Sequence, residues 1–141
     1  MSKHQKQIFD ILIMIVTSLH QNMAKYLAEF GVDSDATKLN SYLFTSNLKE
    51  LSGAMLHKTV FAFRLAYIIE IKRIIGVKLP IILDSPSGKE VDKNNIELMM
   101  AILSRDFSDH QIIIASIFNY NLSATNVIEI ENRLTTLELH S

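Results

Sequence analysis

The chain contains no cysteine, which excludes disulfides, thiolate metal centres and a thiol nucleophile, and fits a reducing compartment such as the cytoplasm. Glycine and proline are scarce, at 4 and 2 residues in 141, so there is no Gly/Pro-rich linker and no composition that resists folding. The hydrophobic share of 48% is enough to build one domain with a core of its own. Neither sign of charge prevails: a formal net charge of -1 offers no global attraction to nucleic acid or membrane, so any basic surface must be local. The early apolar run at residues 11–16 is too short to span a bilayer and follows directly on Asp10. Lys3 and Lys6 precede it, but no clean small-x-small cleavage pattern follows, and no signal peptide is expected.

Several catalytic patterns are missing as well. No serine stands in a Gly-x-Ser-x-Gly elbow, and the five histidines, His4, His20, His57, His110 and His140, include no i, i+4 pair, so surface or capping roles are expected of them rather than zinc binding. Gly88-Lys89 lacks the leading glycine and four-residue spacing of a Walker A loop, and no other stretch supplies them.

What is present is organised around Leu79-Pro80-Ile81-Ile82-Leu83-Asp84-Ser85-Pro86. An unbroken apolar run without alternation predicts a strand buried on both faces, as in parallel sheets covered by helices. It ends on an acid, a hydroxyl and a proline. Ligands of open α/β sheets bind at the carboxyl ends of the strands, so Asp84 is placed to hold a cation beside a phosphate chain; alone, the same residues also describe an ordinary turn.

In chain order, residues 5–30 carry Ile8, Leu12, Ile15, Leu19, Met23, Tyr26 and Phe30 at steps of three and four, which predicts a helix with a wide buried stripe, closed by Gly31. Additional apolar residues at Ile11, Ile13 and Val16 make its early turns apolar nearly all round, the pattern of an ordinary core helix or of a helix packed on two sides or against another chain. A polar connection fills residues 31–41, and Tyr42-Leu43-Phe44-Thr45 has the composition of a short strand. Ser52 is a natural N-cap for a long helix expected from about residue 57 to residue 75, ended by Gly76. A helix start opened by Ser52-Gly53 has the equipment to grip a phosphate, and alone it equally describes a plain capping turn. Asp92 is predicted to cap a third helix with Ile96, Met99, Met100, Ile102 and Leu103 facing inward. Residues 111–116 form a second apolar strand, and residues 126–131 alternate like an edge strand with one wet face.

The series Leu51-Ser52-Gly53, Ala62-Phe63-Arg64-Leu65-Ala66, Ile81-Ile82-Leu83-Asp84-Ser85-Pro86, Val91-Asp92 and Ile113-Ile114-Ala115-Ser116 resembles the carboxy-terminal lobe of an ABC-type ATPase head. The type is that of structural-maintenance-of-chromosomes (SMC) and double-strand-break-repair ATPases. The resemblance covers residues 48–131. It implies an α/β fold, part of a P-loop NTPase, with buried, mainly parallel strands covered by helices. Residues 1–30 would be a leading helix next to a coiled coil, and residues 31–141 the lobe itself. Residue by residue, it implies that Ser52 and Gly53 in the signature loop contact the γ-phosphate of ATP held on the opposite head. Asp84 would be the Walker B acid that positions Mg2+ through water, and Val91-Asp92 the loop that crosses the dimer interface. Ser116 would belong to the switch strand, and Arg64 to a relay from the nucleotide to the coiled coil. The implied partners are a Walker A-bearing lobe or second head, with DNA as a further candidate and no membrane, in DNA repair or genome defence.

The departures are equally specific. Ser85 stands where the family has the glutamate that activates water, and a serine hydroxyl is no general base at neutral pH; either another carboxylate such as Glu90 serves, or the site binds ATP and turns it over slowly. Ile117 stands where a switch histidine would follow Ser116, and Ala54 replaces the second signature glycine. With the phosphate cradle absent, no ATP hydrolysis is expected of the chain alone. Lys72, Arg73 and Lys78 form a local basic group, ordinarily a solvated face, which in an ATPase of this kind would suit DNA. The competing readings are a non-catalytic protein-interaction module, or a remnant of such an ATPase, that keeps the sheet and binds a partner through residues 5–30, and an unrelated small α/β domain.

Overall fold

The computed structural model describes residues 2–32, 53–84, 92–116, 120 and 126–128. Among these, three helices and two strands follow in the order α1 (Lys3–Glu29), α2 (Gly53–Ile75), β1 (Ile81–Asp84), α3 (Lys93–Asp106) and β2 (Ile112–Ala115). The predicted short strand at residues 42–45 lies outside the described residues.

The two ends of α1 are set by local chemistry. At its start Ser2 Oγ accepts from the Gln5 backbone N–H at 3.2 Å, and Gln5 Oε1 accepts from the Ser2 N–H at 2.8 Å, a reciprocal capping box. At its finish Gly31 takes φ +68°, while Val32 N–H donates to Leu27 O at 2.9 Å and Gly31 N–H to Ala28 O at 3.0 Å. This pair of bonds closes a helix through a left-handed residue, a conformation that glycine adopts without steric cost. Gly76, with φ +75°, ends α2 in the same region. α2 starts at Gly53, four residues earlier than periodicity predicts, because Ala54, Met55 and Leu56 are good helix formers that extend the first turn.

α1 and α2 lie antiparallel. The Phe30 and Phe61 rings meet edge to face at 5.9 Å and Lys58 Nζ donates to Phe30 O at 3.3 Å, while further back along α1 Ser18 and Asn22 donate to Glu70. Leu19, Met23, Tyr26, Leu27 and Phe30 from α1 join Phe61, Ala62, Leu65 and Ala66 from α2 in one buried cluster. α3 completes it with Ile96, Met99, Met100, Ile102, Leu103 and the following Phe107, so the inward face read from the sequence is the face that is buried.

The strands form a parallel pair in the register Ile81–Ile112, Ile82–Ile113, Leu83–Ile114 and Asp84–Ala115, with α3 as the crossover between them. Their burial corrects the expectation of strands covered on both faces. Ile81 and Leu83 are buried with the helices, whereas Ile82 and Ile113, paired in register on the opposite face, are 62% and 46% exposed. Among the described residues the helical layer covers one face only, so a run that is apolar in every position is nonetheless half open. Residues 126–128, part of the predicted edge strand, are exposed and carry no strand; residues 129–131 lie outside the described residues.

Polar side chains pin the helices. Glu70 is buried on α2 and accepts from Ser18 Oγ at 2.5 Å, Asn22 Nδ2 at 3.3 Å and the Arg73 guanidinium at 2.7 and 3.0 Å. Burial pushes its carboxyl up, but the hydrogen bonds from Arg73 and Ser18 and the Arg73 charge outweigh that, and the net direction is down. On the other side, Arg105 spans Glu29 and Asp106 with paired hydrogen bonds of 2.8–3.0 Å, and the buried Tyr26 hydroxyl donates to Asp106 Oδ2 at 3.0 Å. Hydrogen bonding from Arg105 holds Asp106 well below the usual carboxylate range. Both carboxyls are depressed in the native state, so the stability they contribute is complete above the ordinary carboxylate range, near pH 4, and is lost as pH falls below it. Thermal melts from pH 7 downward are therefore expected to show a falling Tm in that acidic window. Glu70→Gln is expected to cost about 1–3 kcal/mol at pH 7 and to flatten the acid-side fall.

Candidate functional site

The carboxyl ends of the two strands define the rim at which an α/β unit binds ligands. Asp84 is the last residue of β1, exposed, and paired in register with Ala115, the last residue of β2. Ser116 follows at once, half-buried, and its Oγ donates to Tyr120 Oη at 3.2 Å. The chain leaving Asp84 must start α3 at this same end, because a crossover helix between parallel strands runs back against them. Asp92 is the N-cap of that helix: Oδ1 accepts from Asn95 N–H at 2.8 Å and Oδ2 from Asn95 Nδ2 at 2.7 Å. Parallel pairing thus gathers Asp84, Asp92 and Ser116 toward one end of the βαβ unit.

The other predicted residues stand differently. Gly53 is the first residue of α2 and Arg64 an exposed position along it, and α2 packs on α1. Ser52, Ser85 and Glu90 lie outside the described residues, as do Leu51, Val91 and Ile117. Among the described residues no three acidic or imidazole side chains gather as a metal cage.

Two sequence-level expectations about charged groups change with the geometry. His110, expected at the surface or in a cap, is buried: Nδ1 lies 2.9 Å from Leu79 O, a contact that requires the proton on Nδ1, and the ring meets Phe107 edge to face at 5.4 Å. It ties the approach to β1 to the approach to β2. The signal for it was its position between Phe107 and an apolar strand. The basic group is matched rather than bare. Lys72 and Lys78 both reach Asp109, at 2.7 and 2.9 Å, and Arg73 reaches Glu70 at 2.7 Å. The two lysines hold the Asp109 carboxyl well below its ordinary range.

No family model matches the chain, and neither a curated protein nor a solved structure does. Among the described residues no helix is long and apolar enough to cross a membrane.

The capping role of Asp92 is directly measurable. Asp92→Ala is expected to lower stability by about 1 kcal/mol, and Asp92→Ser to restore most of it in urea denaturation followed by circular dichroism. An unchanged midpoint for the alanine variant would mean that the carboxylate does not cap α3.

Proposed function

We propose that the chain is the carboxy-terminal half of an SMC-like ABC ATPase head, which contributes a signature loop and a Walker B acid to a composite ATP site at a head-head interface. One observation carries the reading: Asp84 ends a parallel strand of a βαβ unit, in register with the residue before Ser116 and at the end where Asp92 opens the crossover helix. An acid in that place suits a magnesium ion bridging phosphate oxygens. In this reading Ser52 and Gly53 contact the γ-phosphate presented by the other head, and Asp92 belongs to the loop that crosses between heads. Arg64 relays nucleotide state along α2. The missing half, a lobe with a Walker A loop, supplies the phosphate cradle and its lysine. Ser85 in place of a catalytic glutamate makes the composite site one that binds ATP and turns it over slowly, with Glu90 the remaining carboxylate near the acid. The setting is DNA repair or genome defence in the cytoplasm.

A second reading, a non-catalytic interaction module or remnant of such an ATPase, is favoured by the exposed apolar first half of α1. The two differ in nucleotide dependence: the module associates without regard to ATP or magnesium.

Adding a Walker A-bearing lobe, together with ATP and magnesium, is expected to drive association that light scattering detects. Ser52→Arg is expected to abolish it and Asp84→Ala to weaken it. Association with the added lobe that ignores ATP and both substitutions would reject the composite site. In the completed complex Ser85→Glu is expected to raise phosphate release roughly 10²-fold or more, the range a positioned general base supplies; no gain would show that the missing glutamate is not what limits turnover.

A further inference from the structure

α1 outruns the helix it packs on. Its contact with α2 reaches back to Ser18 and Asn22 beside Glu70, beyond which only residues 71–75 of α2 remain, while α1 continues to Lys3. The difference is about ten residues, or about 15 Å at the rise of an α-helix. That overhang is not polar. Ile8, Phe9, Ile11, Leu12, Ile13 and Met14 are each between 47% and 55% exposed. Ile8 and Leu12 extend the same three-and-four stripe that Leu19, Met23, Tyr26 and Phe30 bury against α2 and α3, so the seam of the core runs on past the core. Beside it the end of α2 leaves Ile74 and Ile75 open, at 51% and 67%.

We infer that this overhang is a self-association surface, and that its occupant is the same overhang of a second copy, laid antiparallel. Six large apolar side chains at about half exposure present on the order of 500–600 Å², distributed round the helix. One face of each copy buries part of that area and the open ends of α2 add to it, toward the roughly 1,200 Å² where specific interfaces begin. The surface is also self-complementary. Outward from Leu12 the segment is apolar to Ile8 in one direction and to Val16 in the other, broken only at Asp10, and is bounded by Lys6-Gln7 and Thr17-Ser18. Reversing a copy about Leu12 therefore sets apolar against apolar, except where Asp10 falls opposite Met14, and polar end against polar end, as a two-fold interface requires. A helix apolar on more than one side needs cover from more than one direction. The copy supplies this with its own overhang and with the open end of its α2. A lipid surface fits less well, because the segment offers Lys3, Lys6 and Asp10 rather than the broad charged face of an interfacial helix.

The inference needs no nucleotide and names the partner that the interaction-module reading leaves open; the half-site reading is tested separately, by the added lobe. Sedimentation of the full chain at micromolar concentration, without ATP or magnesium, is expected to give twice the 16.0 kDa chain mass. Leu12→Glu, at an exposed position outside the core, is expected to weaken the dimer at least about tenfold with helicity unchanged, while Ile128→Glu leaves it intact. Because the chain has no cysteine, Leu12→Cys alone provides a second readout that keeps the site apolar: mild oxidation is expected to trap a covalent dimer, and Ile128→Cys is not. A monomer throughout, a dimer untouched by Leu12→Glu, or a monomer that instead cosediments with anionic vesicles through residues 8–14 would each overturn it.

Discussion

The packing of the second half of α1 into the angle between α2 and α3 is the constraint on which the rest of the structure depends. Tyr26 and Leu27 are fully buried there, and the same turns of helix carry the hydroxyl and carboxylate that reach Asp106 and Arg105 on α3. Apolar burial is non-directional and would tolerate several angles between the helices. Hydrogen-bonded charges are directional, and the two clusters, Glu70 with Ser18, Asn22 and Arg73 on one side and Asp106 with Tyr26 and Arg105 on the other, hold α1 against each neighbour at a set position. Glu70 is the costlier of the two to disturb: its carboxylate is buried and satisfied by three partners, so removing one leaves part of a charge without compensation.

The sheet depends on this helical layer and gives it little in return. Two four-residue parallel strands are too short to be stable alone, and Ile81 and Leu83 are held because they enter a core that the helices have already made. His110 reinforces the arrangement from below by joining Leu79 to the turn before β2. The consequence for function is positional. Once β1 and β2 are parallel and in register, their carboxyl ends and the start of the crossover helix fall at one end of the unit, and Asp84 and Ser116 come together without any sequence proximity.

Two surfaces remain that the described residues do not cover, the Ile82–Ile113 face of the sheet and the overhang of α1. Each is made of residues that would ordinarily be core. The composite-site proposal concerns the rim at the carboxyl ends of the strands, and the self-association surface concerns the far end of α1. They occupy different parts of the molecule and use different forces, phosphate electrostatics in the first and apolar burial in the second.

The sequence by itself determined the features whose causes are local. The end of α1 at Gly31, the cap at Asp92, the inward face of α3 and the apolar character of β1 and β2 were all legible, because capping and side-chain period act over a few residues. Its apolar first turns in α1 also announced a helix with more to bury than one neighbour could take. What the sequence did not determine is which apolar face is covered, since Ile81 and Ile82 are chemically alike and only the position of the helices separates them. Nor could it show that Lys72 and Lys78 converge on Asp109, or that His110 lies inside. Those outcomes were decided by tertiary structure alone, because burial and charge pairing belong to the neighbours that a residue acquires on folding rather than to the residue itself.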